Sequence, residues 1–402
     1  MNLTRSQVHS SEGGSLRLDV YQNFTAISDR SDSPGMGGLD FVLLGLFGEV
    51  GSLLSALKKK KRDKDAYATY EDSVLEEIGD ALWYLANAAG RGRLSLEELG
   101  RRAVQGQGYS APSASSIQGF ADLQPTHFSP ELQEAPLEAC LIQLAAKTGA
   151  LLDSFAAGKF EQNLDRFAAD LIDVFRSLIQ AANLAHVPLD LAARLNIAKS
   201  EGRWPQEKIW APAFDEGFPE NERFPRKMSF RFDEIVENDG RTRVRLSRDG
   251  AVIGDKLTDN RWREDDYRFH DIFHLAHAAI LGWSPTLRSM LRAKRKSNQL
   301  VDENEDGARA NLIEEGIASW VFNHAERAKF FRSTPSLDFN ILKTIKDFVQ
   351  GYEVQTLPAW QWELAILEGF KAFRLLKEHR RGIVDLDLDA HTLTFRLVHS
   401  EE

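Results

Sequence analysis

The helices of this 402-residue chain come in an order that is repeated once, and that repetition constrains the fold more than any single motif. Apolar residues at Leu43, Leu46, Phe47, Val50, Leu53, Leu54 and Leu57 recur at steps of three and four, as on one amphipathic helix. A second helix is expected from about Glu71 to Gly90, with Val74, Leu75, Ile78, Leu82, Tyr84 and Leu85 on its buried side. Ser95-Leu-Glu-Glu98 then reads as the capped start of a third. Further on, Leu137–Phe155, Leu164–His186 and Pro188–Ala198 give three helices in the same order. Glu77 and Asp170, Asp80 and Asp173, and Leu94 and Val187 are each 93 residues apart, whereas Glu49 and Lys147 are 98 apart, so the first interhelical loop is shorter in the second copy. A tandem duplication accounts for this best.

The remaining organisation follows from punctuation. Ser31-Asp-Ser-Pro-Gly35 separates a short Tyr21/Phe24 segment from the first helix. The first repeat spans 20–105, and residues 106–130, rich in Gly, Ser, Ala and Pro with little charge, read as a linker. The second repeat takes 131–205. A third unit, 206–402, opens with alternating apolar and polar residues at Met228-Ser-Phe-Arg-Phe-Asp and Arg241-Thr-Arg-Val-Arg-Leu-Ser, with turns at Asn238-Asp-Gly240 and Asp249-Gly250. Two or three antiparallel strands are expected there, then helices at His270–Leu281, Thr286–Arg295, Ala308–Lys329, Leu337–Tyr352 and Ala359–Arg380, with a closing strand within 385–397. The fold class is mainly α: a tandem helical bundle followed by an α+β, mostly helical unit with a small antiparallel sheet.

Sixty acidic against fifty basic side chains leave a formal charge of −10, so no broad basic field exists to hold a nucleic-acid backbone, and generic nucleic-acid binding is not expected. Cys140 is the only cysteine and has no intrachain partner, and the stretch MNLTRSQVHSSEGG lacks the apolar run of a secretory signal, which together favour a reducing cytoplasm. Phe41–Phe47 is an apolar run about a third of the ~20 residues a membrane-crossing helix needs, so membrane spanning is not expected.

Chemistry concentrates first in Gly48-Glu-Val-Gly-Ser52 and Glu76-Glu-Ile-Gly-Asp80. Glu77 and Asp80, three apart, project from one helix face, and an antiparallel neighbour brings Glu49 opposite them. Such an oxygen cage suits magnesium, which keeps several waters and binds through a few carboxylates together with substrate phosphates. The alternative is a solvated acidic helix face. Gly48, Gly51 and Gly79 beside the acids favour close helix packing or ligand approach, since glycine otherwise weakens a helix by ~1 kcal/mol.

The run Gly45-Leu-Phe-Gly-Glu-Val-Gly-Ser-Leu-Leu, followed by Leu75-Glu-Glu-Ile-Gly-Asp-Ala-Leu-Trp-Tyr-Leu, resembles the MazG-like, all-α nucleoside triphosphate pyrophosphohydrolases. Their hallmark is a Glu-x-x-Glu pair on one helix and a Glu-x-x-Asp pair on the next, together binding magnesium. The resemblance implies that Glu49, Glu77 and Asp80 are catalytic metal ligands for Mg2+, with Mn2+ the alternative ion, and that water attacks a nucleoside triphosphate to release the monophosphate and pyrophosphate. Ser52 stands where the family has its second Glu, so either Glu76 or a water makes up the set or the metal is bound more weakly. In the second repeat Ala146-Lys-Thr-Gly-Ala150 has lost both carboxylates of the first helix, while Asp170 and Asp173 remain. That copy keeps the family's downstream element, Asn196-Ile-Ala-Lys-Ser-Glu-Gly-Arg-Trp204, in which Asn196, Lys199 and Arg203 are expected to contact phosphates. Family members pair subunits, so an internal pseudo-dimer is expected in which one copy supplies metal ligands and the other phosphate contacts; association of two chains into a homodimer is the other way to meet that requirement. The run Lys58-Lys-Lys-Lys-Arg62 is read as a solvated helix end complementing the helix dipole.

A second constellation lies in the third unit. His270, His274 and His277 fall at i, i+4 and i+7, where neutral imidazoles can share a second divalent metal with Asp271 or a carboxylate from another helix. Buried, hydrogen-bonded histidines are the equal alternative. Lys294, Lys296, Arg309, Glu314 and Glu315 follow closely enough to form a phosphate- and metal-binding wall, or an exposed charged hairpin. FHDIFHLAH, LGWSP, KRKS and EEG are similar to the C-terminal domain fused to some MazG-like proteins in nucleotide-based conflict systems, which implies a defence role without implying an activity. Two functions are thus weighed: a magnesium-dependent pyrophosphohydrolase, and a catalytically weak nucleotide sensor regulating the C-terminal unit. A third places the main chemistry at His270, His274 and Glu315.

Overall fold

In a computed structural model, the chain is described over residues 14–31, 35–105, 117–128, 134–160 and 163–398. It divides into two compact units at Trp204/Pro205.

The first unit is helical: α1 (Leu18–Ser28), α2 (Leu39–Asp63), α3 (Tyr70–Arg91), α4 (Leu96–Val104), α5 (Glu134–Ala156), α6 (Leu164–Leu184) and α7 (Leu189–Arg203). The expected periodicity is realised, with Leu43, Leu46, Val50, Leu53 and Leu57 of α2 all buried, while Phe47 is 43% exposed. Ser95 caps α4, its Oγ accepting from the Glu98 amide at 3.3 Å, and Asn163 caps α6 by accepting from the Arg166 amide at 3.0 Å. The duplication is visible in the packing: α2 lies on α3 as α5 lies on α6. The third helix of each copy crosses to the other, α4 packing on α6 and α7 on α3. This exchange makes the two copies an internal pseudo-dimer around one core.

Two expectations need correction. Residues 106–116 and 129–130 of the anticipated linker lie outside the described residues, as does the stretch 1–13, but 117–128 belong to the bundle. Ile117, Phe120 and Leu123 are buried, Gly119 bridges to Arg17, and Gln124 bonds Asn183, Val187 and Leu189. The Gly- and Ser-rich composition obscured an apolar triplet spaced to reach the core. The argument from a seven-residue apolar run also falls short, because the helical stretch Gly35–Ala66 is long and apolar enough to cross a membrane by length and composition. Helices in the cores of soluble proteins pass the same test, and one side of this helix is buried in the bundle.

The second unit contains a five-stranded antiparallel sheet: β1 (Lys227–Val236), β2 (Thr242–Arg248), β3 (Ala251–Leu257), β4 (Arg381–Asp387) and β5 (Thr392–Arg396), in the order β3-β2-β1-β4-β5. The period of two puts Met228, Phe230 and Phe232 of β1 inside. Asp249 and Gly250, both with positive φ, turn the chain between β2 and β3. The helices are α8 (Asp271–Ala276), α9 (Pro285–Leu291), α10 (Gln299–Asn304), α11 (Ala308–Arg327), α12 (Phe339–Phe348) and α13 (Ala359–His379). The expected helix through Leu281 changes its hydrogen-bond spacing midway: α8 gives way to a π-helical turn at His277–Leu281 that stops at Gly282, φ 65°. The helix expected to reach Arg295 ends earlier, at Leu291, because Arg292 is left-handed.

Candidate metal and nucleotide site

The helix pair α2/α3 brings together the three carboxylates that the sequence singles out. Ligand-capable oxygens of Glu49, Glu77 and Asp80 all lie within 4.8 Å of one another, and each residue is partly buried. Crowding like charges in a half-dry setting has an electrostatic cost that is visible in the protonation state. Burial, a hydrogen bond with Glu77 and the charge of Asp80 push the Glu49 carboxyl up to about 8. Burial likewise raises Glu77, and Asp80 and Glu76 add to the rise.

The second copy completes the site through α7. Lys199 Nζ donates to Asp80 Oδ2 at 2.6 Å and to Glu76 Oε1 at 2.9 Å. Burial works against its charge, but Asp80 and Glu76 outweigh that and hold the ammonium above its ordinary range. Asn196 Nδ2 donates to Asp80 Oδ1 at 2.8 Å, and the Tyr21 hydroxyl donates to Asn196 Oδ1 at 3.0 Å. Because an ionised carboxylate only accepts, this chain fixes which end of the Asn196 amide faces Asp80. Gly79 is what lets α7 approach: a Cβ there would lie 2.7 Å from the Ala192 carbonyl oxygen and 3.3 Å from Asn196 Cβ. Of the other glycines expected to signal close approach, Gly48 and Gly51 face open space, whereas Gly45, not singled out, seats the Tyr84 ring. Between the copies lies a cavity of ≈ 260 Å³ lined by Glu76, Asp80, Asn196 and Lys199 along with Asp72, Leu75, Ala192 and Leu195.

Other site candidates fall less centrally. Arg203 lies one turn past Lys199 with its guanidinium 4.4 Å from the Trp204 ring. In the second copy, Asp170 faces Arg166 at 3.8 Å and Asp173 faces Arg176 at 2.5 Å, so both retained acids are paired with arginines of their own helix. The basic run behaves as a helix end: Lys61 pairs with Glu138, Arg62 with Asp63, and Lys60 Nζ donates to the Lys64 carbonyl. Tyr21 is the functional residue that sequence reasoning passed over, since nothing in its polar surroundings marks it as a partner for Asn196.

In the second unit, His270, Asp271 and His274 place ligand atoms within 4.8 Å of one another, as do His274, His277 and Glu314, and all are buried. Glu315 reaches the same group, 3.1 Å from His274 and 3.6 Å from His270. Of the residues grouped with them in the sequence, Glu314 and Glu315 stand against the histidines, while Lys296 and Arg309 are exposed and Lys294 is partly so. The residue between the two lysines points inward instead: Arg295 is 1% exposed and pairs with Asp306 and Glu353, beside Arg288 on Asp215.

Fold and site together define a two-copy helical bundle carrying an acidic cluster, joined to an α+β unit. Residues 209–399 match the MazG C-terminal domain. The Gene 37 protein of Mycobacterium phage L5 is 35% identical over 115 residues, 27% of this chain and 98% of that protein. The chain belongs to the MazG-associated family that this domain defines, and the domain points to a nucleotide-related function. No solved structure matches the chain.

Proposed function

We propose that the helical unit is a magnesium-dependent nucleoside triphosphate pyrophosphohydrolase. The supporting observation is the convergence of Glu49, Glu77 and Asp80 within 4.8 Å across two helices. The donor set fits a hard divalent cation: all ligands are oxygens, and Glu49 retains a proton that a cation would displace. Mg2+, or Mn2+, held by these three would neutralise the triphosphate and the charge that builds on departing pyrophosphate.

The chain's own groups do the rest. Asn196, braced by the Tyr21 hydroxyl, holds one oxygen of Asp80 and Lys199 the other, which fixes the carboxylate beside Glu49 and Glu77. Lys199 places a permanent cation at the rim of the cavity, where phosphate oxygens can share it with Asp80 and Glu76. Arg203, one turn on, offers a second cation to the same chain of phosphates. A water held by the carboxylates attacks the α-phosphorus; the bond from that phosphorus to the bridging oxygen of the β-phosphate breaks, and a carboxylate oxygen takes the water's proton.

Pyrophosphate release from a panel of NTPs and dNTPs with magnesium tests the proposal. Release should be lost in Glu77→Ala and Asp80→Ala. Ser52 favours one rival, a sensor that binds nucleotide without cleaving it and regulates the C-terminal unit, because it leaves the cage one carboxylate short. Tight nucleotide binding with no product would establish the sensor.

A further inference from the structure

We propose that the C-terminal unit carries a separate site for one divalent first-row transition-metal ion, held by Nε2 of His270, His274, Asp271 and Glu315. Three features lead there. First, His270 Nδ1 lies 3.0 Å from the Tyr267 carbonyl oxygen, which can only accept, so Nδ1 carries the proton and Nε2 presents a lone pair. That lone pair faces Glu315 Oε2 at 3.6 Å and Asp271 Oδ1 at 3.9 Å. Acceptors facing acceptors in a buried pocket need a cation between them. Second, Asp271 is 3% exposed and its Oδ2 has no hydrogen-bond partner among the described residues, an uncompensated buried oxygen that a metal would satisfy. Third, His274 is 1% exposed, with Nδ1 3.0 Å from Glu314 and Nε2 3.1 Å from Glu315, so that Glu314 holds one side of the ring while Nε2 is turned to the same carboxylate that His270 Nε2 faces.

The surroundings are those of a metal site. Glu314, fully buried, accepts from the Thr286 amide at 2.9 Å and from His277 Nδ1 at 3.0 Å, which anchors it against His274 as an orienting carboxylate. The helix bearing the histidines passes into its π-helical turn at His277, a departure found preferentially at functional sites. Glu315 is 40% exposed on its side chain, so the group opens to solvent on one side and an ion can enter. Two imidazoles with two carboxylates suit Zn2+, Mn2+ or Fe2+ and are too nitrogen-rich for the magnesium that the helical unit prefers.

The test uses the full chain, stripped with chelator and then titrated with Zn2+ and with Mn2+ in excess Mg2+, which saturates the acidic cluster. One ion of Zn2+ or Mn2+ per chain should survive gel filtration, measured by elemental analysis. Affinity should fall more than about 100-fold in His270→Asn and about 10–100-fold in Glu315→Gln, and should not change in Glu77→Gln. Glu315→Gln sits at the open side and keeps the fold, so circular dichroism of that variant guards against a trivial loss. Folded wild-type protein that retains neither ion overturns the proposal, as does full retention in Glu315→Gln or loss in Glu77→Gln. A proton shared between His274 and the two glutamates would then account for the cluster.

Discussion

The two copies of the helical repeat share their packing and part in their chemistry. In the first, α2 and α3 turn Glu49, Glu77 and Asp80 toward one point; in the second, Asp170 and Asp173 are drawn off by Arg166 and Arg176. The same scaffold therefore concentrates negative charge on one side and disperses it on the other. What the second copy retains is the third helix, which delivers Asn196 and Lys199 to its neighbour's acids. Under the proposed function, the duplication divides between the copies two tasks that a symmetric pair would perform twice.

The sharpest way to break this comparison is to remove acids from each copy. Asp80→Ala should lower pyrophosphate release by about 100-fold or more, whereas Asp170→Ala with Asp173→Ala should leave it within about twofold. Comparable losses would mean that both copies bear the chemistry. Next, Asn196→Ala and Lys199→Met should each cost about 10–100-fold in magnesium-dependent activity, because they position Asp80 from the other copy. Gly79→Ala should destabilise the bundle by about 1–3 kcal/mol in denaturant melts, since the new methyl meets the Ala192 backbone rather than a flexible side chain.

A smaller effect should appear in the pH dependence. Glu49 rises from an ordinary 4.5 to about 8 in the folded protein, facing Glu77, Asp80 and Lys199. A carboxyl raised on folding contributes stability that is complete below its unfolded value and is lost as pH climbs through the folded one. In chelator, the thermal midpoint should therefore fall between about pH 5 and pH 8, and excess magnesium or Glu49→Gln should flatten the fall. Last, Ser52→Glu restores the missing acid one turn from Glu49 and should tighten magnesium binding by roughly tenfold or less, read by calorimetry.

Much of this was legible in order. Periodicity located the helices because each buries one stripe, and the spacing of Glu77 and Asp80 forced them onto one face. The segment at Ile117, Phe120 and Leu123 was obscured because its composition is that of a loop while three apolar side chains carry its packing. Tyr21 was hidden for a different reason: its partner Asn196 lies 175 residues along the chain, and no local pattern encodes such a meeting; Gly79 announced a close approach, but not that the approaching backbone is that of Ala192. The same holds for Arg288 and Arg295, whose acidic partners Asp215, Asp306 and Glu353 are set by tertiary placement; between Lys294 and Lys296, only the backbone decides which cation turns inward.

The seat of α7 on the bare backbone at Gly79 means that the halves cannot drift independently. The second copy, without a counterpart of Glu49, still holds its shape against the acids of its sibling through Asn196 and Lys199. Severing the chain between the repeats would part Asn196 and Lys199 from the Asp80 that they bond.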